Sequence, residues 1–278
     1  MSKKKQNISK ARFSIKKRGR PKEPFDVNKF KRSLKRTGLN KSMCDDLIEK
    51  IDPSNPCYQS TSSLFRRTHN AIYKHSKRLA AFYNIKRSIF ELGPTGYPFE
   101  VLCSEIFKTK GFKTQVSVIK KGEFVEHEVD VLATRPDITV FCECKFHRRR
   151  GHKNGIKLPL YVHSRYLDLK NTNKYGEINY AIMTNTPFSS DAIKYAKGVG
   201  LMLFSLDYPD KETFLDLMKR YKVYPVTILK NLKKAEAAQL LQKKVVVIKQ
   251  LKTAHLKKIG LDDNRIIEVM SEVKALLK

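Results

Sequence analysis

The stretch Ile138-Thr-Val-Phe-Cys-Glu-Cys-Lys-Phe-His147 holds a glutamate and a lysine two residues apart. In an extended chain side chains alternate between faces, so Glu143, Lys145 and His147 share one side. Ile138, Val140, Cys142, Cys144 and Phe146 share the other, which is apolar enough to face a core. Just upstream, Glu128 and Asp130 lie on one face of a second such segment, with Val129 and Val131 on the opposite one. Asp130 and Glu143 are thirteen residues apart with Arg135-Pro-Asp137 between them, a spacing that a hairpin closes by setting the two carboxylates side by side. Two such charges repel unless a cation lies between them, and oxygen ligands favour Mg²⁺ or Mn²⁺ over zinc. A lysine on the same face can orient or deprotonate a water, or offset charge developing on a phosphate. Those abilities suit hydrolysis of a phosphodiester. The plainer alternative is an exposed hairpin face whose charges form ordinary surface pairs.

Several neighbours bear on this reading. Arg148, Arg149, Arg150 and Lys153 follow with no acid until Asp168, forming either a phosphate-gripping loop or a merely solvated one. His147 is a substrate contact or a bystander. Cys142 and Cys144 read as core packing, since a CxC pair on one strand face has no partner cysteines close by in the chain.

The elements that must position these groups come from periodicity. A helix is expected over 98–110, carrying Phe99, Leu102, Ile106 and Phe107, then strands at 113–119, 125–133 and 138–147. A helix near 161–169, a strand at 179–184, a helix at 190–197 and a strand at 201–206 complete an α/β layer. Before it, four helices fit the stretch from Asp26 to near Gly38 with Val27, Phe30 and Leu34, then Ser42–Ile51, the stretch opened by Thr61-Ser, and Arg78–Leu92, ending at Gly93-Pro94. After Pro225 short helices are expected at 227–232, 235–241, 246–251, 255–259 and 262–277, with no long internal repeat.

At Pro98-Phe-Glu100, Lys110-Gly-Phe, Glu128-Val-Asp130, Glu143-Cys-Lys145 and Met183 to Gly200-Leu the sequence resembles the PD-(D/E)xK nucleases, specifically the Mrr-like restriction endonucleases. The resemblance implies a mixed sheet flanked by helices. It also implies Mg²⁺ or Mn²⁺ held by Glu100, Asp130 and Glu143, a catalytic Lys145, and DNA as substrate. The segment Ile15 to Asp26 with the four helices after it resembles an ATP-cone, which implies ATP or dATP bound through Lys16, Lys17 and Lys29. Lys17-Arg-Gly-Arg-Pro-Lys22 also resembles an AT-hook for the minor groove of A·T-rich DNA. Residues 225–278 loosely resemble helix-hairpin-helix modules, with Ile259-Gly260-Leu261 as the hairpin beside Lys257 and Lys258, and a plain helical cap or dimerisation element fits equally. The expected organisation is a basic arm (1–10), a helical ATP-cone (11–93), a nuclease core (94–210) and a small helical unit (222–278).

Composition agrees with a polyanionic partner. Of 278 residues 57 are Lys or Arg and 27 Asp or Glu, a net charge of +30. Residues 1–36 alone hold fifteen of the cations and only Glu23 and Asp26 as acids. Nucleic acid is the first candidate partner and an anionic membrane surface the second. No apolar run is long enough to cross a bilayer, and the basic N-terminus lacks the apolar segment of a signal peptide. Five cysteines without metal-like grouping suit a reducing, cytoplasmic setting. The expected function is metal-dependent DNA cleavage, licensed by nucleotide, with a homodimer where both strands are cut. The rivals are a nucleotide-responsive DNA-binding regulator without cleavage, and an RNA-directed or junction-resolving nuclease.

Overall fold

The structure, a computed structural model, describes residues 14–16, 22–51, 60–172 and 175–278. The chain divides into two compact units, Met1–Asn84 and Ile85–Lys278. In the first, strands β1 (Ser14–Lys16) and β2 (Lys22–Pro24) pair antiparallel ahead of helices α1 (Val27–Lys35), α2 (Lys41–Ile51), α3 (Thr61–His75) and α4 (Lys77–Phe90). The division between units falls inside α4, upstream of the Gly93-Pro94 break. Asp26 caps α1 by accepting from the Lys29 amide at 2.9 Å, and Ser60 with Ser63 forms a capping box on α3. Phe30, Leu34, Leu47, Ile48, Leu64 and Ile72 recur at helical spacing and are buried together. Lys17, and the AT-hook-like run up to Pro21, lie outside the described residues.

The second unit is built on a five-stranded sheet in the order β3 (Lys113–Lys121), β4 (Glu126–Thr134), β5 (Ile138–Lys145), β6 (Glu177–Thr184), β7 (Met202–Phe204). The first three strands are antiparallel; β5, β6 and β7 are parallel, joined through helices α6 (Lys157–Lys170) and α7 (Ser190–Gly198). Helix α5 (Tyr97–Thr109) precedes β3 and is apolar on most of its surface, burying Phe99, Val101, Leu102, Cys103, Ile106 and Phe107. This mixed sheet with flanking helices is the α/β architecture that the sequence resemblance implies.

Two features fix the strands that matter most. Strand β5 lies third of five, and Thr139, Val140, Phe141 and Cys142 are buried on both its faces. Only from Glu143 onward does the strand alternate between the interior and a more open side. The β3–β4 hairpin is anchored to α6 by Asp168. That carboxylate accepts from the Phe124 amide (2.9 Å) and contacts His127 Nε2 (2.6 Å), while the Asp168 carbonyl takes the Glu123 amide (3.0 Å). Gly122 makes the approach possible, since a Cβ there would lie 1.9 Å from Asp168 Oδ2.

Beyond the sheet come helices α8 (Phe214–Arg220), α9 (Lys234–Gln242), α10 (Thr253–Lys257) and α11 (Asp263–Leu277). The stretches read as helices at 227–232 and 246–251 are instead single 3-10 turns, Val226–Ile228 and Ile248–Gln250. The reason lies in the β-branched and proline-containing runs before them, which enter extended. Pro225 and Val247 form an antiparallel bridge; the Val226 amide donates to the Val246 carbonyl (2.8 Å) and the Ile248 amide to that of Tyr224 (2.9 Å). Before each extended run the preceding helix stops on a lysine of positive φ, Lys222 (50°) and Lys244 (61°), with Val223 and Val245 bonding back to Met218 and Leu240. Positions matched in this way are displaced by 22 residues, so two short halves are related by a local pseudo-two-fold. Helix α10 ends by the same device at Gly260 (82°), with Leu261 bonding back to Leu256.

Glu272 of α11 locks the first turn in place. It is 1% exposed, and its two carboxylate oxygens accept from the Lys230 and Asn231 amides at 2.9 and 3.1 Å. Removing the carboxylate takes this partner from two part-buried amides and leaves a gap where the Glu272 side chain was buried. Glu272→Ala is therefore expected to destabilise the second unit by about 2–4 kcal/mol in urea unfolding, and Glu272→Gln by roughly half as much. A change below about 0.5 kcal/mol for the alanine variant would count against this role.

Candidate active site

The register of β4 on β5 pairs Val131 with Cys142, so the next step along the ladder brings Asp130 opposite Glu143. Cross-strand partners project to the same face. Pairing ends there because the Cys144 amide donates to Asp130 Oδ2 at 2.7 Å instead of to β4 backbone. The aspartate thus terminates the ladder and is oriented by the strand that carries the glutamate.

Two further groups complete the carboxylate cluster. Glu100, in the first turn of α5, accepts from Ser117 Oγ at 2.7 Å. Ser117 belongs to β3 and sits between the Val116–Val131 and Val118–Val129 pairs, opposite Asp130. Its φ of 52° is left-handed, a conformation uncommon for a serine. Glu143 itself is held by Arg165 of α6, whose Nη1 lies 2.6 Å from Glu143 Oε2. The two side chains are only 8% and 12% exposed. Below this pair lies an aromatic layer: Phe141 stacks on Tyr180 at 5.8 Å and meets Tyr175 edge-on at 5.3 Å.

Burial and like charge act together on these acids. Burial first, then Glu143 and Glu100, push the Asp130 carboxyl up to about 7 against the stabilising Cys144 amide. Glu100 is likewise raised, by burial and by Glu128 and Glu143, with the Ser117 hydroxyl opposing. Among the described residues no group of three or more His, Cys, Asp or Glu closes into a ready-made metal cage, one Glu143 oxygen being committed to Arg165. The chemistry of the set nevertheless fits a hard divalent ion. Its donors are all oxygen, and two of them are driven toward protonation, first by burial and then by neighbouring negative charge that a cation would offset.

The cations expected near the site are distributed in two ways. Lys145 is exposed at the end of β5, two residues beyond Glu143. Arg148, Arg149, Arg150 and Lys153 are exposed in the following loop, and the Arg150 guanidinium also lies over the Phe90 ring at 5.2 Å. The loop is anchored by Asn154, 3% exposed, whose Nδ2 reaches Thr186 Oγ1 (2.9 Å) and the Pro187 carbonyl (3.2 Å). Asn154 Oδ1 meets His147 Nε2 at 2.9 Å, and the His147 amide and carbonyl both bond the Asn185 side chain. His147 stacks on His152 with centroids 3.7 Å apart, and burial lowers its pKa. In the first unit Lys29 is exposed on α1. Cys142 and Cys144 are buried with their sulfurs 3.9 Å apart, in the core that the sequence assigned them.

Arg165, Ser117 and Asn154 were not anticipated. Arg165 falls in a helix whose polar positions look ordinary in sequence, and Ser117 in a strand without acids. Asn154 follows Lys153 in a loop judged by its charge alone.

Comparison with known proteins places this geometry. Residues 94–218 match the family described as "Restriction endonuclease", and residues 224–277 the one described as "AF1548-like, C-terminal". An uncharacterized protein of Archaeoglobus fulgidus is 34% identical over 177 residues, spanning 63% of this chain and 99% of that protein. The crystal structure of AF1548, a protein of unknown function, is 32% identical with a TM-score of 0.54, covering 66% of this chain and 98% of that one. Residues 1–93 lie outside both family matches.

The raised Asp130 carboxyl has a measurable signature. An unfolded aspartate ionises near pH 4, the folded one near 7. The folded state therefore binds the proton more tightly, and the metal-free protein loses stability as pH rises through that window. In EDTA, Asp130→Asn should be more stable than wild type at pH 8 by about 1–2 kcal/mol, after allowance for solvent screening, with the gap closing toward pH 4. Melting curves at the two pH values test this; a gap independent of pH would refute it.

Proposed function

The chain belongs to the AF1548-like family and is built around a restriction-endonuclease-like core, and on that footing we propose that it is a divalent-metal-dependent endonuclease hydrolysing DNA phosphodiesters. The observation that carries the reading is the convergence of Asp130, Glu143 and Glu100 at the open end of β5, with Lys145 beyond them on the same strand. Glu100, Asp130 and Glu143 would hold the ion. Bound there, Mg²⁺ or Mn²⁺ would supply Lewis acidity toward a phosphodiester oxygen and lower the pKa of an attacking water.

The chain's own residues account for the remaining needs. The Cys144 amide and Ser117 hydroxyl hold Asp130 and Glu100 in place, so little reorganisation accompanies reaction. The Lys145 ammonium offsets negative charge on the phosphate or takes part in activating the water. Arg148, Arg149 and Lys153 present cations to neighbouring phosphates, with the loop between them fixed by Asn154. Such contacts weaken steeply with salt. Cutting both strands of a duplex with one site per chain calls for two copies, which is the sense in which we include a homodimer and a restriction-type activity. Among the described residues no helix is long and apolar enough to cross a membrane.

Nucleotide control is the finer part of the proposal. The antiparallel pair β1–β2 leading into four helices retains the element order of an ATP-cone, with Lys16 on β1 and Lys29 on α1. Lys16, Lys17 and Lys29 would contact the triphosphate of ATP or dATP.

Incubation with several DNAs and Mg²⁺, with and without ATP, beside Lys145→Ala tests cleavage. The wild type is expected to nick DNA, and the variant to lose about 10²-fold or more of that rate. A wild type that shifts DNA in a gel yet nicks nothing would replace the enzyme by the DNA-binding regulator. Calorimetric titration with ATP tests the N-terminal unit: a binding heat weakened by Lys29→Ala is expected, and no heat from the wild type removes nucleotide control.

A further inference from the structure

Arg165 stands apart from the other basic residues. It is 7% exposed, whereas the other lysines and arginines whose side chains are described are at least partly open to solvent, and it reaches from α6 to the carboxylate set. Its guanidinium carbon lies 5.3 Å from the Tyr161 ring centroid, and its Nη1 holds Glu143 at 2.6 Å. Its Nε is buried and has no hydrogen-bond partner. A buried ion pair of this kind stabilises a fold little, compared with well-packed apolar side chains, because both groups are removed from water. A donor left unsatisfied adds to that cost. The arrangement therefore lacks a reason in folding alone.

Charge supplies one. Glu100, Asp130 and Glu143, the half-buried acids of the set, carry three negative charges when ionised, while Glu128, which also raises Glu100, is exposed and screened by water. Arg165 neutralises one of them permanently, since a guanidinium does not deprotonate under ordinary conditions. The two that remain match a single divalent ion. Without Arg165, one such ion would leave a half-buried carboxylate uncompensated, and a second ion would be drawn in.

Resting on the nuclease reading for its metal chemistry, we propose that Arg165 is a positioning residue that fixes Glu143 and stands in for a second metal ion, making this a one-ion site. The hydrogen bond from Arg165 falls on Glu143 Oε2, so Oε1 can serve the ion while the glutamate is still paired.

The test counts ions directly, without DNA. Mn²⁺ binding followed by electron paramagnetic resonance should give one tightly bound ion per wild-type chain. Arg165→Met, which keeps an unbranched stem about as far as Nε and removes the guanidinium with its charge, should bind two, and Arg165→Lys should return the count to one. With Mg²⁺ and DNA, the rate should rise hyperbolically with metal for the wild type and sigmoidally for Arg165→Met. Circular dichroism checks folding, and the wild-type count remains decisive should the methionine variant unfold. Two ions in the wild type, none at all, or one in both wild type and Arg165→Met would overturn the inference. A chain that binds one ion, gains a second on losing Arg165 and never cuts DNA would keep this inference and discard the nuclease. A chain that cuts DNA with two ions would do the reverse.

Discussion

Carboxylates cannot be gathered at the edge of a protein core without opposing one another, and that opposition organises this molecule. Water screens it poorly once the groups are half-buried, so the surrounding structure must answer with oriented donors, a permanent cation or protons. All three answers are present. The Cys144 amide and Ser117 hydroxyl are the donors, Arg165 is the cation, and the raised Asp130 carboxyl marks where a proton is retained. Each belongs to a different element, which is why β3, β4, β5, α5 and α6 must be placed together for the site to exist.

The scaffold meets this demand by confining the polar cluster to one end of a central strand. Up to Cys142 both faces of β5 are covered, with Phe141 and Tyr180 stacked beneath Glu143. Glu143 is the first residue of β5 after this covered stretch that is not fully buried, and the exposed Lys145 and the loop with Arg148, Arg149 and Lys153 follow it. The Asp168 anchor serves the same end from further off. By tying the β3–β4 hairpin to α6, it sets the strand bearing Asp130 against the helix bearing Arg165.

Much of this was legible in the sequence, for reasons that differ by residue. The alternation around Glu128-Val-Asp130 and Glu143-Cys-Lys145 is local, and the turn between them fixed their pairing. Helix α5 announced itself by dense apolar spacing closed by Gly111. Arg165 was hidden because its partner lies 22 residues away and nothing about a lone arginine on an amphipathic helix marks it as buried. Ser117 was hidden because its role depends on a left-handed backbone that no residue type signals. Helix α8 was overlooked although Thr213 and Asp216 form a capping box at its start, a pattern readable from sequence. In the C-terminal unit the apolar spacing suggests helices at 227–232 and 246–251, where the β-branched runs leading into them favour extended chain and only single 3-10 turns form. The likeness of the two runs is short in sequence, limited to Lys222/Lys244, Val223/Val245, Leu229/Leu251 and Lys230/Lys252 at an offset of 22, and becomes plain only in the shared backbone conformation.

That likeness has a consequence for assembly. The bonds between Val226 and Val246, and between Ile248 and Tyr224, are reciprocal: each half offers the other what it receives. Such bonds do not distinguish a partner in the same chain from its equivalent in another. What favours the closed form is effective concentration, since a short tether holds the second half at roughly millimolar levels beside the first. The connecting segment through α9 therefore acts as the element that makes one chain sufficient, and its length rather than its chemistry sets the boundary between self-closure and exchange of halves between molecules.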